Sequence, residues 1–257
     1  SVLFTIKADS IEDAKIAVLS LDSLETKVLL TGGSYPRYSL TGHLLYGMTG
    51  NLWAVGFDLN NLETIGEAVL VQEGVLTKPQ GVADVAISDN GRLVYVPGGG
   101  EVSEGTLTLV DRQGTPTELA LPLGNYSSPR FSPDGSQIAV QVNDPNGESN
   151  IFIYELTSDR LRQLTFDGGA APIWTPGGSQ VTFLAHDAIW NVAADFSEQP
   201  QLLSAASNEL GIGPPNSWSP DGSMITLLTQ GIGQLELGLI DAGSATYTPL
   251  DNGAPYY

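Results

Sequence analysis

Apolar residues along this chain arrive in short runs that turn signals interrupt. Ile138-Ala139-Val140-Gln141-Val142 and Ile151-Phe152-Ile153-Tyr154-Glu155 are two such runs, separated by Asn143-Asp144-Pro145-Asn146-Gly147. A run that is apolar nearly throughout, without strict alternation, predicts a strand buried on both faces of its sheet. Leu161-Arg162-Gln163-Leu164-Thr165 follows as a half-polar outer strand. No ten-residue stretch keeps a 3.6-residue period without Gly or Pro nearby, and the one helical candidate, Ile11 to Lys15, is short enough to read as a loop turn. The pattern predicts an all-β fold.

One phrase punctuates these runs. It is clearest as Phe131-Ser132-Pro133-Asp134-Gly135 and Trp218-Ser219-Pro220-Asp221-Gly222. Weaker copies are Trp174-Thr175-Pro176-Gly177-Gly178, Tyr38-Ser39-Leu40-Thr41-Gly42 and Ile87-Ser88-Asp89-Asn90-Gly91. Pro presets φ at the second turn position and Gly accepts the left-handed position that follows, so each copy predicts a β-turn. The last Gly falls at 42, 91, 135, 178 and 222, a spacing of 43 to 49 residues that belongs to four-stranded blades arranged radially. Ser1-Val2-Leu3-Phe4-Thr5 aligns with the residues after a turn glycine, and Asp251 to Tyr257 aligns with the lead-in to one. The C-terminal strand is therefore expected to join the N-terminal blade and close a ring of six. The prediction is a six-bladed β-propeller of four-stranded blades, one domain over residues 1–257. A chain that starts just after a tight turn, without an initiator Met, reads as a segment of a longer protein or a processed form.

The charge narrows the partners. Ten Lys and Arg face 29 Asp and Glu, a net charge of −19, which argues against a nucleic-acid backbone or an anionic membrane surface and favours a cationic or neutral partner. General solubility accounts for the same acidity. With no Cys there is no disulfide, thiol nucleophile or Cys-type zinc site. No apolar run is long enough to cross a membrane as a helix, so no direct membrane insertion is expected.

Candidate chemistry is sparse. His43 opens a strand and His186 precedes Asp187 in a loop, so they fall in different blades and predict no shared metal site. No Ser sits in a Gly-x-Ser-x-Gly elbow. Asp144-Pro145-Asn146-Gly147-Glu148-Ser149 is rich in oxygen ligands, but its spacing does not fit a calcium loop and a hairpin is the better reading. Asp134 and Asp221 are read as turn residues whose carboxylates accept backbone N–H groups. No catalytic residue, cofactor or metal ligand is assigned.

One constellation stands out. Just before each turn, the equivalent positions on the innermost strand are Arg37, Ala86, Arg130, Ile173, Ser217 and Tyr256, and two positions earlier lie Tyr35, Asp84 and Ser128. Innermost strands line the channel of a propeller, so Tyr35, Arg37, Asp84, Ser128, Arg130 and Tyr256 are the candidate partner-binding residues at its mouth, with Arg able to grip a carboxylate in bidentate fashion. Pairing of each Arg with a nearby Asp to pin the blades is the competing reading.

The phrases Pro129-Arg130-Phe131-Ser132-Pro133-Asp134-Gly135-Ser136-Gln137-Ile138-Ala139-Val140 and Asp159-Arg160-Leu161-Arg162-Gln163-Leu164-Thr165 resemble the WD40-like repeats of TolB-type six-bladed propellers. Gly42 to Tyr46, Gly50 to Asp58 and Ser88 to Tyr95 are similar to propeller regions that follow the kinase domain in some bacterial serine/threonine kinases and to related envelope proteins, although no kinase motif is present. The resemblance implies a protein- or peptide-binding or sensing module, periplasmic or extracellular, without catalysis of its own. The alternative is a metal-dependent propeller enzyme, a lactonase or lyase with Ca²⁺ in the channel, for which only Asp84 and Asn216 lie at inward positions. Nothing in the pattern demands a dimer, and a monomer is expected.

Overall fold

The computed structural model describes residues 1–78, 82–98, 105–205, 211–230 and 235–250. They form six antiparallel sheets, one per repeat, and the fold is an all-β six-bladed propeller of mostly four-stranded sheets. The first sheet contains β1 (Val2–Ile6), β2 (Lys15–Leu19) and β3 (Thr26–Thr31). The second holds β4 (Ser34–Ser39), β5 (His43–Met48), β6 (Asn51–Asp58) and β7 (Glu63–Gln72), and the third β8 (Val85–Ile87), β9 (Leu93–Tyr95), β10 (Thr108–Val110) and β11 (Pro116–Glu118). The fourth is β12 (Asn125–Phe131), β13 (Gln137–Asn143), β14 (Ser149–Glu155) and β15 (Arg160–Gln163). The fifth is β16 (Ala170–Trp174), β17 (Gln180–Ala185), β18 (Ala188–Ala193) and β19 (Gln201–Ala205), and the sixth β20 (Gly211–Trp218), β21 (Met224–Gln230), β22 (Leu235–Asp241) and β23 (Tyr247–Pro249). Strand order in each sheet follows chain order. The strand expected to complete the first sheet, within residues 251–257, lies outside the described residues. Ile11 to Asp13 is a turn, as its length predicts.

The repeated phrase makes the same turn five times. Backbone N–H groups of Gly42, Gly91, Gly135, Gly178 and Gly222 each donate to the carbonyl of the Ser or Thr three residues earlier, at 2.8–2.9 Å. Each of these glycines has positive φ, between 69° and 81°, where a side chain would meet its own backbone. The opening hydroxyl closes the turn: Ser132 Oγ accepts the Gln137 N–H at 3.0 Å, and Ser219 Oγ the Met224 N–H at 2.9 Å. Asp134 and Asp221 accept from Ser136 and Ser223 N–H groups at 3.0 and 3.1 Å, which is the turn role read from sequence.

The chain divides into two compact units. Among the described residues, the first comprises those of 1–98 and 108–116, and the second those of 105–107 and 117–250. In the first, Leu44 and Tyr46 of β5 pack with Ile16 of the first sheet, while Leu45 between them packs with Val85 and Tyr95 of the third. Adjacent residues thus enter two separate cores, which is why the run Leu44-Leu45-Tyr46 does not alternate. The second unit repeats the arrangement. Val181 and Phe183 meet Ala139, Ile151 and Ile153 of the fourth sheet, and Ile173 and Ile189 meet Ile225, Leu227 and Ile240 of the sixth. Each such fully buried side chain stabilises by about 1.5–3 kcal/mol relative to exposure.

Candidate functional site

In the second, fourth and fifth sheets the first strand carries a recurring distortion. Register slips between Ser34 and Arg37 in β4, Ser127 and Arg130 in β12, and Ala170 and Ile173 in β16. In each slip one residue without Gly's freedom adopts positive φ: Tyr35 at 57°, Ser128 at 51° and Ala171 at 50°. These are β-bulges, which re-aim side chains and release a backbone N–H from the ladder. A side chain of the preceding sheet takes up the released group. Thr5 Oγ1 accepts the Tyr35 N–H at 3.1 Å, and Gln141 Oε1 accepts the Ala171 N–H at 3.0 Å. No glycine marks these positions, so the residue pattern alone gave no signal for them.

The predicted ring residues pair with the second strand in two registers, Arg37 and Ala86 with the third residue after the turn glycine and Arg130, Ile173 and Ser217 with the fourth. Arg37 faces Leu45, Ala86 faces Val94, Arg130 faces Ala139, Ile173 faces Thr182 and Ser217 faces Thr226 across to the second strand. The aromatic that follows ties sheet to sheet within the second unit. Trp174 Nε1 donates to the Arg130 carbonyl at 3.0 Å, and Trp218 Nε1 donates to Thr182 Oγ1 at 2.9 Å, which in turn donates to Asn191 Oδ1 at 2.6 Å.

In the first unit, Tyr35 and Arg37 form a single group. The Arg37 guanidinium lies 4.3 Å from the centre of the Tyr35 ring, and its Nη2 donates to the Tyr35 hydroxyl at 2.7 Å. Both side chains are half-buried and border an apolar recess with Leu45, Leu52, Val85 and Leu93. Asp84 is placed differently. It is 1% exposed and pairs with Lys78 Nζ at 3.3 Å, and its own N–H donates to the Leu76 carbonyl at 2.9 Å. In the second unit, Ser128 sits in the bulge and Arg130 Nη1 donates to the Pro129 carbonyl at 2.8 Å. Tyr256 lies outside the described residues.

The residues weighed for metals have structural roles. Asp144 Oδ1 accepts the N–H groups of Asn146 and Glu148 at 2.8 and 2.9 Å, so this carboxylate closes a hairpin. His43 Nδ1 lies 3.1 Å from Thr41 Oγ1, and His186 Nε2 donates to the Asp167 carbonyl at 2.7 Å. Among the described residues, no group of three or more His, Cys, Asp or Glu is placed to hold a metal ion. No helix there is long and apolar enough to cross a membrane.

No protein-family model matches the chain. It is 30% identical over 154 residues to the Tol-Pal system protein TolB of Francisella tularensis subsp. mediasiatica, a match that covers 58% of this chain and 35% of that protein. The chain thus spans about a third of the length of the curated relatives it matches. Among solved structures, TolB from Acinetobacter baumannii superposes with a TM-score of 0.75 at 15% identity, over 95% of this chain and 62% of that one. An oligogalacturonate lyase from Vibrio parahaemolyticus superposes with a TM-score of 0.61 at 13% identity, over 96% of this chain and 78% of that one. At these identities the superpositions speak to fold alone.

Proposed function

We propose that this chain is a non-catalytic β-propeller module that binds a protein or peptide partner as part of a larger extracytoplasmic protein or assembly. The observation that carries this reading is the sequence identity shared with TolB, since it joins a likeness of residues to the likeness of fold. The lyase likeness is one of fold only, and the described residues bring together no ligand set through which a metal-dependent reaction would run. A periplasmic or extracellular address and a monomeric state belong to the same proposal.

The partner would meet the mouth of the channel. Arg37, held over Tyr35, presents a pre-positioned guanidinium to a carboxylate or a backbone carbonyl. Arg130 and Ser128 occupy the equivalent strand positions of the fourth sheet, and Tyr256 belongs to the same predicted ring. Asp84, the sixth candidate, is buried and pairs with Lys78.

The test is retention of a partner from a solubilised envelope fraction of the source organism, comparing wild type with an Arg37→Ala/Arg130→Ala double variant of equal melting temperature. Specific retention by wild type and loss by the variant is the expected result. Equal retention by both removes the channel mouth as the binding surface. No specific retention from envelope or cytosolic fractions overturns the binding-module reading.

A further inference from the structure

A recess of about 410 Å³ lies in the second unit, lined by none of the channel residues discussed above. This volume falls within the range of small-ligand pockets. Three connections build it: the start of β14 at Glu148 and Ser149, the link from β15 to β16 at Phe166 to Ala170, and the β17–β18 hairpin tip at His186 and Asp187.

The floor is kept low by packing beneath it. A Cβ on Gly169 would lie 2.8 Å from Thr165 Oγ1 and 2.9 Å from Ile151 Cγ1, so no side chain fits there. Thr165 Oγ1 also accepts the Ile151 N–H at 2.9 Å and donates to Asn150 Oδ1 at 3.1 Å, which fastens the link to β14. On the opposite wall, His186 and Asp187 both have positive φ, 50° and 53°, in a two-residue turn closed by the Ala185–Ala188 pair. The His186 ring then bridges back to the Asp167 carbonyl.

Its lining joins an exposed ring to carboxylates, with His186 Nε2 lying 3.4 Å from Asp167 Oδ2. Phe166 is 78% exposed, which is unusual for a ring that packing could have covered. Glu148, Asp167 and Asp187 add three carboxylates, with neither Lys nor Arg in the lining. We propose that this recess binds an arginine side chain of a partner peptide, the guanidinium stacked on Phe166 and hydrogen-bonded to these carboxylates, its methylenes lying on the Gly168-Gly169-Ala170 floor. Arginine suits the site better than lysine because its planar, weakly hydrated fork can stack on a ring and bridge two acids together. The same unit shows this geometry internally, where the Arg162 guanidinium lies 3.6 Å from the centre of the Phe196 ring. A second copy of this chain is a poor occupant, because two bodies of net charge −19 repel. The proposal rests on the binding-module reading and specifies one chemistry for its partner.

The experiment is a titration followed by amide chemical shifts, using a capped pentapeptide Ala-Arg-Leu-Arg-Ala and its twin with Gln in place of Arg. Saturable shifts at Gly168, Gly169 and Ala185 to Ala188 are expected with the Arg peptide alone. Phe166→Ala should weaken the affinity about fivefold, and Glu148→Gln/Asp167→Asn/Asp187→Asn about tenfold or more at low salt. Phe166 is exposed, so its variant keeps the test valid should the triple variant lose stability. Saturable shifts that map elsewhere overturn the recess and leave a binding module. The absence of any saturable shift at millimolar peptide also overturns the recess, while the envelope retention experiment judges the module independently.

Discussion

The indole nitrogen of Trp174 donates to the carbonyl oxygen of Arg130 at 3.0 Å, so the aromatic of one repeat is fastened to the strand that precedes the turn of another. Trp218 repeats the relationship through Thr182. Trp53 does not: its indole nitrogen is buried with no hydrogen-bond partner.

Replacing these residues with Phe should separate the two situations. Trp174→Phe and Trp218→Phe each remove a satisfied buried bond along with ring area, and should destabilise by about 1–3 kcal/mol. Trp53→Phe also discards an unsatisfied donor, and its loss should be smaller by about 1 kcal/mol or more. Urea unfolding of the three variants gives the comparison, and equal losses would show that the indole bonds do not couple the sheets.

Acid should act through the turn carboxylates. Asp221 is held down to about 2, first by the Ser219 hydroxyl and then by the Ser223 N–H and hydroxyl. Because this folded-state value lies below the unfolded value of about 3.9, the stabilisation is present above pH 4 and is lost as pH falls towards 2. Asp221→Asn should flatten that part of the stability profile and lower stability at neutral pH. Denaturant midpoints measured from pH 7 to pH 2 would reveal an unchanged slope if the carboxylate were immaterial.

Alkali should act through Tyr154. Burial pushes this phenol up, assisted by its bond to Asp159 Oδ1 at 2.7 Å, to about 12. The folded value exceeds the unfolded value of about 10, so the contribution is intact below pH 10 and declines as pH rises towards 12. Tyr154→Phe should cost about 1.5–3 kcal/mol at pH 7, the range for bonds to charged acceptors, and should remove this decline. A variant that keeps the same alkaline slope as wild type would place the titration elsewhere.

Lys78 supplies the cation beside a carboxylate that is 1% exposed. Lys78→Ala should destabilise by about 1–3 kcal/mol, less than a fully buried pair because the Lys is partly solvated. Asp84→Asn should be milder, since an amide keeps the shape without a charge to compensate. Thermal melts of both variants test the order, and a milder Lys78→Ala would contradict it.

Calcium should leave the protein unmoved. A site that binds only the folded state raises stability by mass action, by about 2.7 kcal/mol at one hundred times Kd. With no ligand group among the described residues, the melting temperature in millimolar Ca²⁺ and in excess EDTA should agree within about 1 °C. A rise of several degrees with Ca²⁺ would restore the metal-dependent enzyme.

Much of the architecture was legible in the chain because turns are local. Ser132-Pro133-Asp134-Gly135 closes through its own backbone and the Ser132 hydroxyl, so its residues suffice to predict it, and five copies at a steady spacing, with the chain ends aligned to a sixth, imply the sheet count. The burial of Leu44 and Leu45 in two separate cores was visible as a run that fails to alternate. The channel candidates were legible only as equivalent positions in a repeat. Side chains at equivalent positions can do unlike things: Arg37 stacks on Tyr35 while Arg130 turns to its neighbour's carbonyl, and Asp84, the counterpart of Tyr35, is buried on Lys78.

The sequence by itself therefore determined the strands, the turns and the repeat, because each depends on contacts within a few residues. Only the tertiary structure decided the bulges at Tyr35, Ser128 and Ala171, since a non-glycine residue accepts positive φ where surrounding contacts outweigh its local preference. Thr5 and Gln141, which capture two of the freed N–H groups, lie thirty residues away along the chain. The recess at Phe166 is likewise a product of three connections brought together, and no one of them carries a motif that announces it.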